Sequence, residues 1–284
     1  MDAPPAQEDC RPFVTIAGLL DQAGVHVPRI IAQDLERGFL LLSDLGRQTY
    51  LDVLTEANAD ALFEPAIDAL IAWQRASRPG VLPEYDEALL RRELALFPDW
   101  YLARHLNLTL TGAALASWQQ LCDRLVENAL AQPRVYVHRD YMPRNLMLST
   151  PNPGVLDFQD AVYGPIAYDP ICLFKDAFLS WPEARVETWL RRYHERAAAA
   201  GLPVPAWPQF QRDAALIGLQ RHLKVLGIFA RINYRDGKPK YLADTPRFLR
   251  YAQTAAQAEP MLAPLAQLLE QEILPRAGVT SAAP

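Results

Sequence analysis

Glycine is scarce in this 284-residue chain (13), cysteine scarcer still (3), and proline abundant (24), a balance that predicts many short helices stopped by proline. Cys10, Cys122 and Cys172 lie far apart and are odd in number, which favours reduced thiols over a disulfide frame or a zinc site. No apolar run approaches the length that spans a bilayer. The N-terminus (MDAPPAQEDC) lacks a basic region followed by an apolar one, so neither a secretory signal nor a membrane partner is expected, and a cytoplasmic location is. Positive charge is not in excess either. A formal net charge of −5 argues against a nucleic-acid surface, which needs clustered Lys and Arg. Repeats and low-complexity segments are absent. What remains is an ordinary globular composition, long enough to bury one large core or two modest ones.

Taken in order, Phe13, Ile16, Ala17 and Leu20 recur at helical spacing and predict a helix over residues 9–22, stopped by Gly24. Residues 27–33 and 38–42 read as a hairpin, and residues 43–46 lead into a mainly helical region. Thr55 is placed to cap a helix over 56–75, and Thr111 one over 112–130. Between them lie shorter helices, 85–97 and 100–106, divided by Pro98. Turn signals stand at Gly164-Pro165 and Pro170. Helical patterns over 183–200, 209–231, 241–255 and 261–273 follow, and a small polar tail, 276–284, is expected to fray.

The densest chemistry lies in residues 135–160, VYVHRDYMPRNLMLSTPNPGVLDFQD. This reads as a short strand, a charged loop, a strand over 146–149, a Pro-rich turn, and a third strand ending on Asp157. H-R-D-x-x-x-x-N followed by an acidic residue closing an apolar run is the phosphotransfer loop of protein-kinase-like enzymes, and it has a mechanical reading. Asp140 is expected to take the proton of an attacking hydroxyl, and Asn145 and Asp157 to hold Mg²⁺ against nucleotide phosphates. His138 reads as a structural histidine tying the loop backbone together. Asp169 reads as a helix cap or a clamp on the loop; for Asp160, substrate contact and structural pairing stand equal. Only about a dozen residues separate Asp157 from Asp169, too few for a peptide-binding segment, which favours a small-molecule acceptor.

HRDYMPRNLML and GVLDFQDAVYGPIAYDP resemble the aminoglycoside phosphotransferase and choline-kinase group. The run QRHLKVLGIFARINYRDGKPKYLADTPRFL resembles, within that group, the anomeric kinases of N-acetylmuramate and N-acetylglucosamine in bacterial cell-wall recycling. The resemblance implies an α+β, protein-kinase-like fold: a truncated small nucleotide lobe with the hinge (1–46) and a mainly helical catalytic and substrate lobe (47–284). It implies ATP and Mg²⁺ as cofactors and a sugar hydroxyl as acceptor. Leu42, Ser43 and Asp44 fall at the hinge whose backbone meets the adenine. Asp160, Arg144, Arg231 and Asn233 become substrate candidates. Read from the residues alone, Arg221, His222, Lys224, Arg231, Asn233 and Tyr234 form a solvated helix face.

Other acceptors of the same fold are an aminoglycoside, which calls for many carboxylates, or choline, which calls for an aromatic cage. Trp181, Trp189, Tyr163 and Tyr168 are available for a cage, although core packing explains them more simply. A non-catalytic, pseudokinase-like binding protein is the alternative of a different class. Its basis is a departure from the family pattern: there is no Gly-rich loop, no Lys before the first helix, and no Glu at that helix's centre. From this, Met1 is expected to be an internal start, and the 284-residue chain to transfer phosphate poorly.

Overall fold

The first predicted helix forms over Arg11–Gln22 (α1) and buries Phe13, Ile16, Ala17 and Leu20, the apolar face its sequence marks. It ends in a Schellman turn. Gly24, at φ +79°, donates its N–H to Asp21 O, and Val25 donates to Leu20 O, both at 3.0 Å. The structure, a computed structural model, describes residues 1–6 and 8–279; Gln7 and the last part of the expected frayed tail, 280–284, lie outside the described residues.

Strands β1 (Ile30–Asp34) and β2 (Phe39–Leu42) pair antiparallel, with Asp34 opposite Phe39. Residues 1–3 run along the other edge of β2: Asp2 bridges Phe39, and Ala3 N donates to Gly38 O at 3.0 Å. Gly38 is required there twice over, by its φ of +76° and because a Cβ would stand 2.0 Å from Ala3 O. There follow α2 (Tyr50–Val53), α3 (Ala59–Arg75), α4 (Glu87–Leu96) and α5 (Gly112–Ala131). Four short strands come next: β3 (Arg134–Val137), β4 (Leu146–Met147), β5 (Gly154–Val155) and β6 (Val162–Pro165). β3 pairs with β6 and β4 with β5, both antiparallel. The rest is helical: α6 (Tyr168–Phe174), α7 (Glu183–Ala199), α8 (Trp207–Asp236), α9 (Thr245–Ala258), α10 (Ala263–Leu268) and α11 (Leu274–Arg276).

The chain divides into two compact units, each made of two chain segments. The first comprises Met1–Glu84 and Pro133–Phe210; the second comprises Tyr85–Gln132 and the chain from Gln211 onward. In the first, Phe63, Phe174, Trp181 and Trp189 pack edge to face, and Trp73 lies on Tyr136. Asp60, Glu64 and Asp68 make an acidic stripe along α3, met by Arg185, Arg192 and Arg196 at and along α7. In the second, α4 and α8 cross so closely that a Cβ on Gly227 would stand 2.4 Å from the Leu96 backbone. Beside this crossing Glu93 is fully engaged: Tyr85 Oη donates to it, Gln220 Nε2 donates at 3.0 Å, and Lys224 Nζ pairs at 2.9 Å.

Several local expectations are corrected. Pro98 does not divide two helices: α4 continues into a π-helical stretch, Phe97–His105, and Pro98 falls in its first turn, where no N–H is needed within that stretch. Thr55 does not cap α3. It forms a turn with Asn58, whose Oδ1 accepts from Thr55 N at 2.7 Å, and the helix starts at Ala59. The capping box belongs instead to Thr49 and Asp52, on the unpredicted α2. Thr111 stands at the start of α5, yet its side chain makes no cap hydrogen bond. Gly164 and Pro165 are not a turn but the end of β6, opposite Val135 and Arg134. β4 stops at Met147, after which Leu148 N donates to Gln48 O at 2.9 Å.

Candidate active site

Strand β3 is buried through Val135, Tyr136 and Val137 and delivers the chain into His138. Asp169, fully buried in the first turn of α6, accepts the backbone N–H of His138 at 2.7 Å and of Arg139 at 3.0 Å. That clamp supports an unusual backbone, because Arg139 is a non-glycine residue at φ +73°. Cys172 Sγ, also buried on α6, donates to Arg139 O at 3.2 Å. Of the two readings of Asp169, clamp and helix cap, the clamp is what the contacts display.

His138 is a structural histidine, as its setting in the sequence suggested. Its Nδ1 accepts the Asp140 N–H at 3.3 Å, and its Nε2 donates to Leu156 O at 3.0 Å. Burial lowers its pKa, opposed by the nearby Asp140 and Asp157 carboxylates, so the ring is neutral at pH 7. The ring therefore joins the loop backbone to the strand end that carries Asp157.

Asp140 is half-buried, and its carboxylate accepts no hydrogen bond from a described residue. Asn145 closes a short 3₁₀ turn, Pro143–Asn145, and is buried. Its Nδ2 donates to Asp140 O at 2.9 Å and to Asp157 Oδ2 at 3.3 Å. The structure thus brings Asp140, Asn145 and Asp157 together. Asp157 lies beyond β5 and does not close it; it is exposed, at φ +61°. Gln159 Nε2 donates to its other oxygen at 2.9 Å, a partner that the sequence reading missed although it stands two residues on. Asn145 Oδ1 and the Asp157 carboxylate are hard oxygen donors of the type that suits a Mg²⁺ ion, which takes few protein ligands.

Around this centre, Asp160 is exposed; its backbone O accepts from Arg139 Nη1 at 3.3 Å, and its carboxylate pairs with no described residue. Arg144 is exposed, its guanidinium 5.1 Å from the Phe178 ring centroid. Leu42 ends β2. Ser43 is tied to Arg29, its N–H donating to Arg29 O and its Oγ accepting from Arg29 N, both at 2.9 Å. Asp44 Oδ1 accepts from Gly46 N at 2.9 Å.

The sequence pattern of the phosphotransferase enzyme family (APH) matches residues 1–211. This chain belongs to that family. Among curated relatives, the N-acetylmuramate/N-acetylglucosamine kinase of Pseudomonas aeruginosa is 68% identical over 270 residues, covering 95% of this chain and 80% of the relative. The protein of the same name from Pseudomonas putida is 62% identical over 95% of this chain and 80% of its own. A choline/ethanolamine kinase family protein from Mesorhizobium loti shares the fold with a TM-score of 0.59 at 16% identity, over 89% of this chain and 82% of that one. The ADP-bound aminoglycoside phosphotransferase APH(2'')-Ib does so with a TM-score of 0.57, again at 16% identity, over 86% and 81%. The fold of this phosphotransferase is accordingly the α+β, protein-kinase-like one expected from the motif.

The remaining candidates of this phosphotransferase lie in its second unit. Arg231 and Asn233 are half-buried near the end of α8, and Tyr234 is 46% exposed. The solvated face expected for this run is corrected upstream of them. Arg221, His222 and Lys224 are buried, with Lys224 held by Glu93 at 2.9 Å and the His222 ring tilted against Tyr251 and Phe248. A choline cage finds no support. Trp189 and Tyr168 are core residues, and Arg185 already lies over the rings of Trp181 and Trp189.

Proposed function

We propose that this phosphotransferase moves the γ-phosphoryl group of ATP onto the anomeric hydroxyl of N-acetylmuramate or N-acetylglucosamine, in the cytoplasmic recycling of peptidoglycan. The observation that carries the reaction type is the Asn145 amide, which links the Asp140 loop to Asp157. The acceptor follows from the relatives, whose names give those two sugars and whose identity reaches 68%. Among the described residues no helix is long and apolar enough to cross a membrane.

The Asp140 carboxylate, free of competing protein donors, orients the sugar hydroxyl and takes its proton. Asn145 Oδ1 and Asp157 would hold Mg²⁺, which supplies charge neutralisation at the phosphates when bound with ATP. Gln159 fixes the rotamer of Asp157. His138 and Asp169 keep the loop in its unusual backbone before substrate arrives, so that no ordering is left to be done at the chemical step. At the hinge, the Ser43 N–H is spent on Arg29 O, so the backbone groups that remain for the adenine are those of Leu42 and Asp44.

The test is ADP release with a panel of the two amino sugars, an aminoglycoside and choline, on the wild type and on Asp140→Asn. The expectation is turnover of the amino sugars and a loss of about 10²–10⁴-fold in kcat in the variant, without a shift in thermal unfolding. Unchanged sugar phosphorylation in Asp140→Asn removes the base assignment, and turnover of choline or the aminoglycoside alone removes the acceptor.

A further inference from the structure

The second segment of the first unit, Pro133–Phe210, has its basic side chains almost all spent. Arg134, Lys175, Arg185, Arg191, Arg192 and Arg196 each pair with a carboxylate, and Arg139 donates to Asp160 O at 3.3 Å. Arg144 is the exception. It is exposed, and its guanidinium makes no ion pair or hydrogen bond with a described residue. An aromatic face holds it instead, the guanidinium carbon lying 5.1 Å from the Phe178 ring centroid. Phe178 is placed in turn by the buried Asp176, whose Oδ2 accepts the backbone N–H of Phe178 at 2.9 Å and of Leu179 at 3.1 Å. A guanidinium resting on a ring through its face keeps the in-plane N–H donors at its edge for another acceptor.

We infer that Arg144 is a specificity residue of this enzyme and receives the lactyl carboxylate of N-acetylmuramate. The inference rests on the amino-sugar kinase reading above. The two sugars that the relatives' names give differ in one group: N-acetylmuramate carries a lactyl ether, ending in a carboxylate, where N-acetylglucosamine has a hydroxyl. A planar guanidinium fork matches a carboxylate in shape and charge and has no equivalent use on an alcohol.

The need for such a cation comes from the loop itself. Asp140, Asp157 and Asp160 all stand on the segment that carries Arg144, and neither Asp140 nor Asp160 pairs with a basic side chain among the described residues. A neutral sugar approaches Asp140 without penalty. A sugar acid brings a further negative charge to these carboxylates, and like charges brought together without a counter-ion repel. Arg144 pairs with none of the three, its guanidinium lying on Phe178 instead. It also shares one turn with the base. Arg144 is four residues after Asp140, and the next residue, Asn145, donates Nδ2 to Asp140 O at 2.9 Å, which ties the ends of that turn together. A sugar held at Asp140 by its anomeric hydroxyl therefore needs its lactyl arm to reach only a neighbouring residue of the same loop.

The experiment measures kcat and KM for both sugars in the wild type, Arg144→Met and Arg144→Lys, with direct binding of each sugar by calorimetry. The wild type is also given the neutral amide of N-acetylmuramate, which probes the same contact without any mutation. Expected is a fall of about 10- to 100-fold in the preference for N-acetylmuramate over N-acetylglucosamine in Arg144→Met, read in kcat/KM and in Kd, with partial recovery in Arg144→Lys. The amide is expected to bind the wild type as weakly as N-acetylmuramate binds Arg144→Met. An unchanged preference overturns the inference, whether both sugars lose equally, as a guanidinium serving the nucleotide phosphates would give, or neither loses. An amide that binds as well as the acid overturns it too. A wild type that neither binds nor phosphorylates either sugar overturns the kinase reading instead, and the inference with it.

Discussion

Asp169 spends both carboxylate oxygens on two successive backbone N–H groups, those of His138 at 2.7 Å and Arg139 at 3.0 Å. The two donors are consecutive in the chain, and the second of them, Arg139, stands at φ +73°, so the carboxylate holds the chain where its backbone enters that left-handed conformation. The loop that carries Asp140 is therefore held by a residue on α6, about thirty positions downstream.

Replacing Asp169 by Asn puts an NH₂ group opposite one of those donors. Asp169→Asn is expected to lose about 2–4 kcal/mol of stability, since hydrogen bonds to a charged group are the stronger kind and a buried donor is left unpaired. Its kcat should fall by more than its KM rises, because the loop and not the substrate is misplaced. Urea unfolding and steady-state kinetics check both, and an intact kcat in a folded variant sinks the clamp.

The histidines set a pH dependence of stability. Burial lowers the pKa of both His138 and His105 in the folded protein, while the unfolded chain protonates at the ordinary value of about 6.5. Below that pH the unfolded state binds protons that the folded state refuses, so stability falls as pH drops. The slope approaches about 1.4 kcal/mol per pH unit for each such histidine. Asp60, whose carboxyl is lowered chiefly by the Trp189 N–H, contributes only at more acid pH. Urea midpoints between pH 7.5 and 5.5 should show this slope, and His105→Gln should flatten it; an unchanged slope counts against His105 being neutral in the folded state.

Two glycines make opposite predictions. Gly227→Ala forces a Cβ to 2.4 Å from the Leu96 backbone and should cost about 1–3 kcal/mol or more as the α4–α8 crossing is pushed apart. Gly18→Ala, inside α1 with nothing within 4 Å of the new methyl, should gain about 0.5–1 kcal/mol. Chemical denaturation of the pair checks both signs on the same protein.

Much of the site was legible because spacing encodes it. Asp140, Asn145 and Asp157 come together through a loop and two short strands, so their geometry is local in sequence. Asp169 was half-legible, as a carboxylate before a proline at a helix start. The misreadings were non-local. Arg221, His222 and Lys224 look solvated on a helical wheel, yet all three are buried, and Lys224 pairs with Glu93 on another helix. Pro98 looks like a break until the helix changes register around it, and Gly164-Pro165 looks like a turn until β3 pairs with it. In each case a tertiary partner overrode a sound local rule.

The interleaved composition of the two units constrains how the chain is made. The first unit opens at Met1 yet waits for residues up to Phe210, and the second opens at Tyr85 yet waits for those after Gln211. During synthesis neither can close as the ribosome passes its first segment. Residues 85–132 leave the ribosome before the partners of either unit are complete, and Glu93 must remain uncommitted until Gln220 and Lys224 emerge. Completion of the second unit is thus the later event, gated by α8, and a chain stalled or clipped soon after Phe210 would hold every residue of the first unit while residues 85–132 still lacked their partners.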